Sequence, residues 1–153
     1  MPRLDKTHDV NHAAHEMYDL VCDVEAYPNF VPLCQSLVVK SKRERDNKVL
    51  LMADMTMAYK MLSETFTTQV LMKSDNLEID VKYIEGPFKH LENTWRFEPL
   101  SEATCRIHFM IDYELRSRML AVAAGTVFEM AFARFVDAFE KRADEIYGTT
   151  VTA

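Results

Sequence analysis

The sequence predicts an α+β domain in which a strongly curved antiparallel sheet of six to seven strands wraps a long C-terminal helix. Three observations lead there. Six segments between Ser36 and Leu115 carry strand-like alternation of apolar and polar residues, the mark of a strand with one buried face. The turns between them are too short for the crossovers a parallel sheet needs, so the strands form a meander. Finally, Phe128, Phe132, Phe135 and Phe139 stand at i, i+4, i+7 and i+11, and Ala143 and Ile146 continue the line. That stripe predicts one helix from an N-cap at Ser117 to a left-handed residue at Gly148. Its length would be roughly 45 Å, so it must lie across a broad apolar surface.

In chain order, Leu4 to Val10 reads as a short edge strand. Asn11 caps a helix whose apolar positions Ala13, Met17, Leu20, Val21 and Val24 keep the 3.6-residue period. Tyr27-Pro28-Asn29-Phe30-Val31-Pro32 predicts a one-turn helix, because Pro28 can open a turn and Pro32 disfavours helix at Val31. The strands then run Ser36 to Arg45, Val49 to Met57 and Tyr59 to Met72, followed by the turn Ser74-Asp75-Asn76. Leu77, Ile79, Val81 and Tyr83 alternate with charged residues, Gly86-Pro87 interrupts, and Leu91, Asn93, Trp95 and Phe97 follow. Cys105 to Leu115 is the last strand, with Ile107, Phe109, Ile111 and Tyr113 on its apolar side. The chain shows no internal repeat, linker or low-complexity tract, so residues 1–153 read as one domain.

Composition narrows the functional classes. An apolar fraction of 48% in 153 residues supports a genuine core. A net charge of −6 argues against DNA or other nucleic acid as a generic partner. Cys22, Cys34 and Cys105 are odd in number and widely spaced, which suits reduced thiols in a cytoplasmic protein. The N-terminus has no apolar h-region, and the longest weakly charged run, Met119 to Phe128, is about half the ~20 residues a membrane span requires. With three glycines, Gly86, Gly125 and Gly148, phosphate-cradling loops are excluded. Ten methionines suit an adaptable apolar surface. Met119, Val122 and Met130 fall on the back of the last helix, opposite Phe128, so its start should meet a ligand mouth, a partner or lipid.

Candidate catalytic chemistry is sparse. His8, His12 and His15 are expected to be solvated, since no cysteine or carboxylate completes a metal-ligand spacing; His90 and His108 fall on polar strand faces. No Gly-x-Ser-x-Gly elbow is present, and Cys34 is expected to be a buried, inert thiol. Glu64, Asn93 and Tyr113 are the polar residues on inward registers that could orient a ligand's polar end. The candidate lining from the sheet is Phe66, Ile79, Asn93, Phe109 and Ile111, and from the helix Leu120, Phe128 and Phe132. Burying each phenylalanine stabilises by roughly 1.5–3 kcal/mol, so the rings could also simply fill a core.

At Tyr27-Pro-Asn-Phe-Val-Pro-Leu-Cys34 and at Gly86-Pro-Phe-Lys-His-Leu-Glu-Asn-Thr-Trp-Arg-Phe97 the chain resembles the coenzyme Q-binding START-domain family. Its bacterial members include proteins called ribosome-association toxins, within the wider polyketide cyclase/dehydrase-like group. The resemblance spans nearly the whole chain. It implies a helix-grip fold with a cavity between sheet and C-terminal helix, no catalytic set and no cofactor, with ubiquinone or a similar polyisoprenoid as bound ligand in support of respiration. Carried over by position, Tyr27, Phe30 and Pro32 would shape the cavity mouth with Pro87 and Phe88, while Leu91, Trp95 and Phe97 would line its wall. Where the family commonly has tryptophan after the second proline, this chain has Leu33, which leaves no ring there to stack on a quinone. The same resemblance implies two alternatives, a translation inhibitor on a ribosomal subunit and a polyketide cyclase or aromatase. A quinone carrier would work in the cytoplasm, with peripheral contact at the inner face of the membrane.

Overall fold

A computed structural model describes residues 3–148 of the chain; Met1 and Pro2, with which the N-terminal reading begins, and residues 149–153, with which the expected domain ends, lie outside them. The strands are β1 (Arg3–Val10), β2 (Cys34–Arg45), β3 (Lys48–Tyr59), β4 (Leu62–Lys73), β5 (Glu78–Glu85), β6 (Phe88–Pro99) and β7 (Cys105–Leu115). The helices are α1 (Ala14–Cys22), α2 (Arg118–Ala133) and α3 (Phe135–Tyr147), with a 3-10 helix at Val24–Asn29. All seven strands join one antiparallel sheet in the order β1-β7-β6-β5-β4-β3-β2. Tight turns force β2 to β7 to pair in sequence; α1 and the 3-10 helix carry the chain from the β1 edge to the β2 edge.

Curvature has identifiable sources. Register shifts lie at Cys34/Ser36 and Val39/Ser41, at Thr67/Thr68, and at Phe88/His90, and such bulges bend a strand and raise its twist. Gly86, at φ 144°, lets the β5–β6 turn press on β4: a Cβ there would stand 2.5 Å from the Cβ of Phe66. The concave face is apolar. On β7 every second residue, Cys105, Ile107, Phe109, Ile111, Tyr113 and Leu115, is buried.

Several boundaries move from the sequence expectation. The last helix is two helices, α2 and α3, bent by 41° at Arg134. No proline or glycine marks the bend, and Arg134 N–H instead bonds the Ala131 carbonyl at 3.1 Å. Phe128 before the bend and Phe139 after it are both buried, so the phenylalanine stripe stays on the core across it. The first helix is capped from Ala13, not Asn11: Glu16 Oε1 accepts from the Ala13 N–H at 3.0 Å. The one-turn helix begins three residues upstream of Tyr27, with Pro28 inside it and Pro32 beyond it. Tyr59 ends β3 rather than opening β4, and Lys60 turns the chain at φ 56°. Leu77 likewise belongs to a turn, at φ 50°. The helix-grip arrangement itself is the one observed.

Candidate functional site: the apolar interior under the helices

Between the concave sheet and α2/α3 lies a small cavity of about 70 Å³. From the candidate residues it gathers Tyr27, Phe66, Ile79, Leu91, Asn93, Trp95, Ile111 and Phe132. Val21, Val24, Leu37, Ala53, Met55, Thr68, Val70, Val81, Phe135 and Phe139 complete the lining. Strand parity could have found several of these: Ala53 and Met55 share a side with Leu51, and Thr68 shares one with Phe66 and Val70. Thr68 is one of two buried polar residues among the described positions, the other being His12.

The wall's polar atoms are largely committed. Tyr27 donates its hydroxyl to the Val21 carbonyl, and burial pushes its pKa well above the ordinary phenol value. Asn93 donates from Nδ2 to the Met110 carbonyl at 2.8 Å, and its Oδ1 accepts from the Trp95 indole N–H at 3.1 Å. The amide thus fixes the tryptophan ring against the cavity, and its oxygen keeps a second lone pair for a further donor. Trp95 packs on Phe109 at 4.6 Å and Phe139 at 5.1 Å between ring centroids.

The remaining candidates lie outside the lining. Phe88 centres a ring cluster with Phe66 at 5.2 Å, Phe128 at 5.2 Å, Tyr83 at 5.6 Å and Tyr113 at 5.9 Å. Because Phe66 lines the cavity and Phe88 backs it, this cluster closes the interior toward the start of α2. Pro87 is buried, and its carbonyl accepts from Arg116 N–H at 2.7 Å, which ties the turn to the end of β7. Phe97 stacks on the far side of Trp95 and meets Tyr18; Phe109 lies behind Trp95 against Phe135. Phe30 packs on Phe139 and under the Arg142 guanidinium, Pro32 is half-buried just after it, and Leu120 is half-buried on α2. Phe88, Phe97 and Phe109 miss the lining because inward register places a side chain in the core, and most of that core is filled.

Acidic and basic side chains and thiols avoid the cavity. Glu64 is half-buried near the start of β4, opposite Met57, and does not line it. Tyr113 is buried under α2; its hydroxyl has no hydrogen-bond partner among the described residues, and burial raises its pKa to about 12. Cys34 is buried beside the 3-10 helix as expected, and burial pushes its thiol up to about 11, with Cys105 likewise at about 11. At neutral pH such thiols are protonated and poor nucleophiles.

Two histidines depart from the solvated reading. His12 is 3% exposed and bonds Asp144 Oδ1 at 2.7 Å, and His8 bonds Glu140 Oε1 at 2.7 Å. The α3 carboxylates of Asp137 and Glu140 also come within 4.8 Å of the His8 ring nitrogen, a grouping that sequence spacing hides because the partners are about 130 residues apart. His90 and His108 are half-buried and pair with Asp112 at 3.2 Å and Glu98 at 2.9 Å.

No single helix among the described residues is long and apolar enough to cross a membrane; α2 and α3 pass by length and composition only as a bent pair, and their phenylalanines are buried in the fold.

Known proteins share this architecture and much of the sequence. Ribosome association toxin RatA of Escherichia coli (strain K12) is 38% identical over 148 residues, covering 96% of this chain and 90% of that protein. The mitochondrial coenzyme Q-binding protein COQ10 homolog B of Xenopus laevis is 31% identical over 137 residues, covering 87% of this chain and 54% of its own length. The crystal structure of the ZhuI aromatase/cyclase from Streptomyces sp. R1128 superimposes with a TM-score of 0.81 at 14% identity, covering 99% of this chain and 98% of that one, which establishes a common fold. The profile of the family described as "Polyketide cyclase / dehydrase and lipid transport" matches residues 10–140, from the end of β1 into α3. With that match across the whole meander and the helices it grips, the chain belongs to the polyketide cyclase/dehydrase and lipid transport family.

Proposed function

We propose that this protein binds ubiquinone, or a polyisoprenoid lipid like it, in its interior and carries it in support of respiratory electron transport without catalysing a reaction. The observation that carries the reading is the lining of the cavity. None of its side chains is a carboxylate, histidine, lysine, arginine or cysteine, and its polar atoms are confined to Tyr27, Thr68, Asn93 and Trp95. Such a wall suits an apolar guest with few hydrogen-bonding atoms. The relative named for coenzyme Q binding supports the choice of guest. A cyclase would need an acid/base pair facing the substrate, and both Glu64 and Tyr113 lie outside the lining.

The volume of about 70 Å³ is well below the roughly 300–1,000 Å³ typical of ligand pockets. Binding is therefore coupled to expansion, and the element to move is α2 with the Phe88 ring cluster beneath it. The test uses Trp95, the sole tryptophan, as a reporter in the cavity wall. Titration with a short-chain ubiquinone should quench its fluorescence. Ala53→Leu, which fills the cavity, should weaken binding on the order of ten-fold, since overpacking a core costs about 1–3 kcal/mol. Organic extracts of freshly purified protein without quinone, together with unchanged Trp95 emission in the titration, would refute the reading.

A second reading, association with a ribosomal subunit, is favoured by the relative named for it that covers 96% of the chain. The basic hairpin β2–β3 gives it little help. Lys40 pairs with Asp54 at 3.3 Å, Lys42 with Glu44 at 3.3 Å and Arg45 with Asp46 at 3.7 Å, so its cations are partly neutralised in place. Co-sedimentation with purified subunits across a salt series decides it.

A further inference from the structure

The polar side chains of the cavity wall divide into those bonded inside the protein and one that is not. Tyr27 donates its hydroxyl to the Val21 carbonyl, and the Asn93 amide joins the Met110 carbonyl to the Trp95 indole N–H. Thr68 is the exception. It lines the cavity, is 7% exposed, and its hydroxyl makes no hydrogen bond among the described residues.

Strand β4 shows that this belongs to the position and not to the residue type. The other two threonines of the strand both have partners: Thr65 shares a hydrogen bond with Thr56 at 2.7 Å, and Thr67 donates to Asp54 Oδ1 at 2.6 Å. Those two lie on the wetter face. Thr68 shares its face with Phe66, Val70 and Met72, all buried and apolar. A buried hydroxyl without a partner has lost its water with no replacement, a penalty that valine at the same place would avoid. The hydroxyl is thus free for a group that the folded chain does not supply. There is space for such a group, because Ala53, the smallest side chain of the lining, is the neighbour of Thr68 across β3.

We propose that Thr68 donates its hydroxyl to an acceptor oxygen of the guest, so that a carbonyl-bearing ring lies over Ala53 and β4 inside the cavity. This contact rests on the carrier reading and adds to it where the oxygen-bearing end of the guest is held. The wall favours a neutral acceptor over a charged head. No lysine, arginine or histidine lines the cavity to pair with an anion, and no carboxylate lines it to pair with a cation. A quinone carbonyl accepts a hydrogen bond and carries no charge, so it meets both conditions.

The test adds Thr68→Val and Thr68→Ser to the Trp95 fluorescence titration with a short-chain ubiquinone. Thr68→Val keeps the shape and removes the donor, so the dissociation constant should rise about ten-fold, as expected when one partner of a buried hydrogen bond is lost. Thr68→Ser keeps the donor and should bind more tightly than the valine variant. Without quinone, Thr68→Val should melt no lower than wild type, because a methyl group replaces an unpartnered hydroxyl. Infrared difference spectra should show one carbonyl band of the bound quinone lowered by the hydrogen bond, and restored in Thr68→Val. Wild-type protein that binds no quinone would refute the carrier reading and this contact with it. Three results would overturn the contact alone while quinone still binds: unchanged affinity in Thr68→Val, equal losses in both variants, or a carbonyl band that does not move. A lower melting temperature for quinone-free Thr68→Val would also overturn it, by showing the hydroxyl already satisfied within the fold.

Discussion

α2 and α3 share one phenylalanine stripe, and the stripe is buried along both: Phe128 and Phe132 on the first, Phe135 and Phe139 on the second. Beyond those rings the two helices are held by different means. α3 is tied to the N-terminal edge through Lys6–Asp137 at 3.4 Å, His8–Glu140 at 2.7 Å and His12–Asp144 at 2.7 Å, and Tyr147 donates to the Glu16 carbonyl at 3.2 Å. α2 has no ion pair to the sheet among the described residues; its N-terminus rests on the Ser117 cap, whose Oγ accepts from Leu120 N–H at 3.0 Å. The half of the arm with polar ties covers Trp95. The half without them covers the ring cluster around Phe88. One apolar stripe can thus serve two mechanical roles, depending on whether directional bonds reinforce it.

That contrast can be broken or sharpened by measurement. Phe139 packs on Tyr27, Phe30 and Trp95, so Phe139→Ala should cost about 3–5 kcal/mol in urea unfolding. It should do so as a single transition of the whole chain. Replacing His12, 3% exposed beside the partly exposed Asp144, by alanine should cost about 1–3 kcal/mol, because a buried ring and its hydrogen bond are lost together. If His12→Ala proves neutral, the polar ties do not distinguish the helices. Native-state hydrogen exchange should then find the amides of α2 opening at least about ten-fold more often than those of α3, roughly 1.4 kcal/mol less protected. Equal protection would erase the difference. Smallest is the loss of the Ser117 cap: Ser117→Ala should cost about 1 kcal/mol and speed exchange in α2 alone.

Much of the sheet was legible because one face of each strand is buried and the other is wet. Along β5, β6 and β7 the alternation read from the sequence agrees with the observed burial. The bend at Arg134 was hidden for a physical reason. Spacings of four, three and four residues say which side of a helix meets the sheet, and they hold equally for a straight axis and a bent one. His12 was misread as solvated because its partner, Asp144, lies 132 residues away and only the fold brings them together. The cavity was half legible. Parity marks a side chain as inward, but whether it borders free space or another ring depends on packing that no periodicity encodes, which is why Phe88 and Phe97 serve the wall from behind. The sequence carries no measure of the cavity's volume, which is small because bulky rings from both layers interlock.

The pairing of β1 with β7 also sets a timetable. Val10 meets Cys105 and Arg3 meets Asp112, so β1 must wait for about a hundred further residues before its neighbour exists. At a synthesis rate of about 5–20 residues per second that interval is roughly 5–20 s. The carboxylates of α3 that bind Lys6, His8 and His12 emerge later still. β1 is therefore among the last of these elements to find its place, and the nascent sheet lacks its β7 margin until that strand has been made.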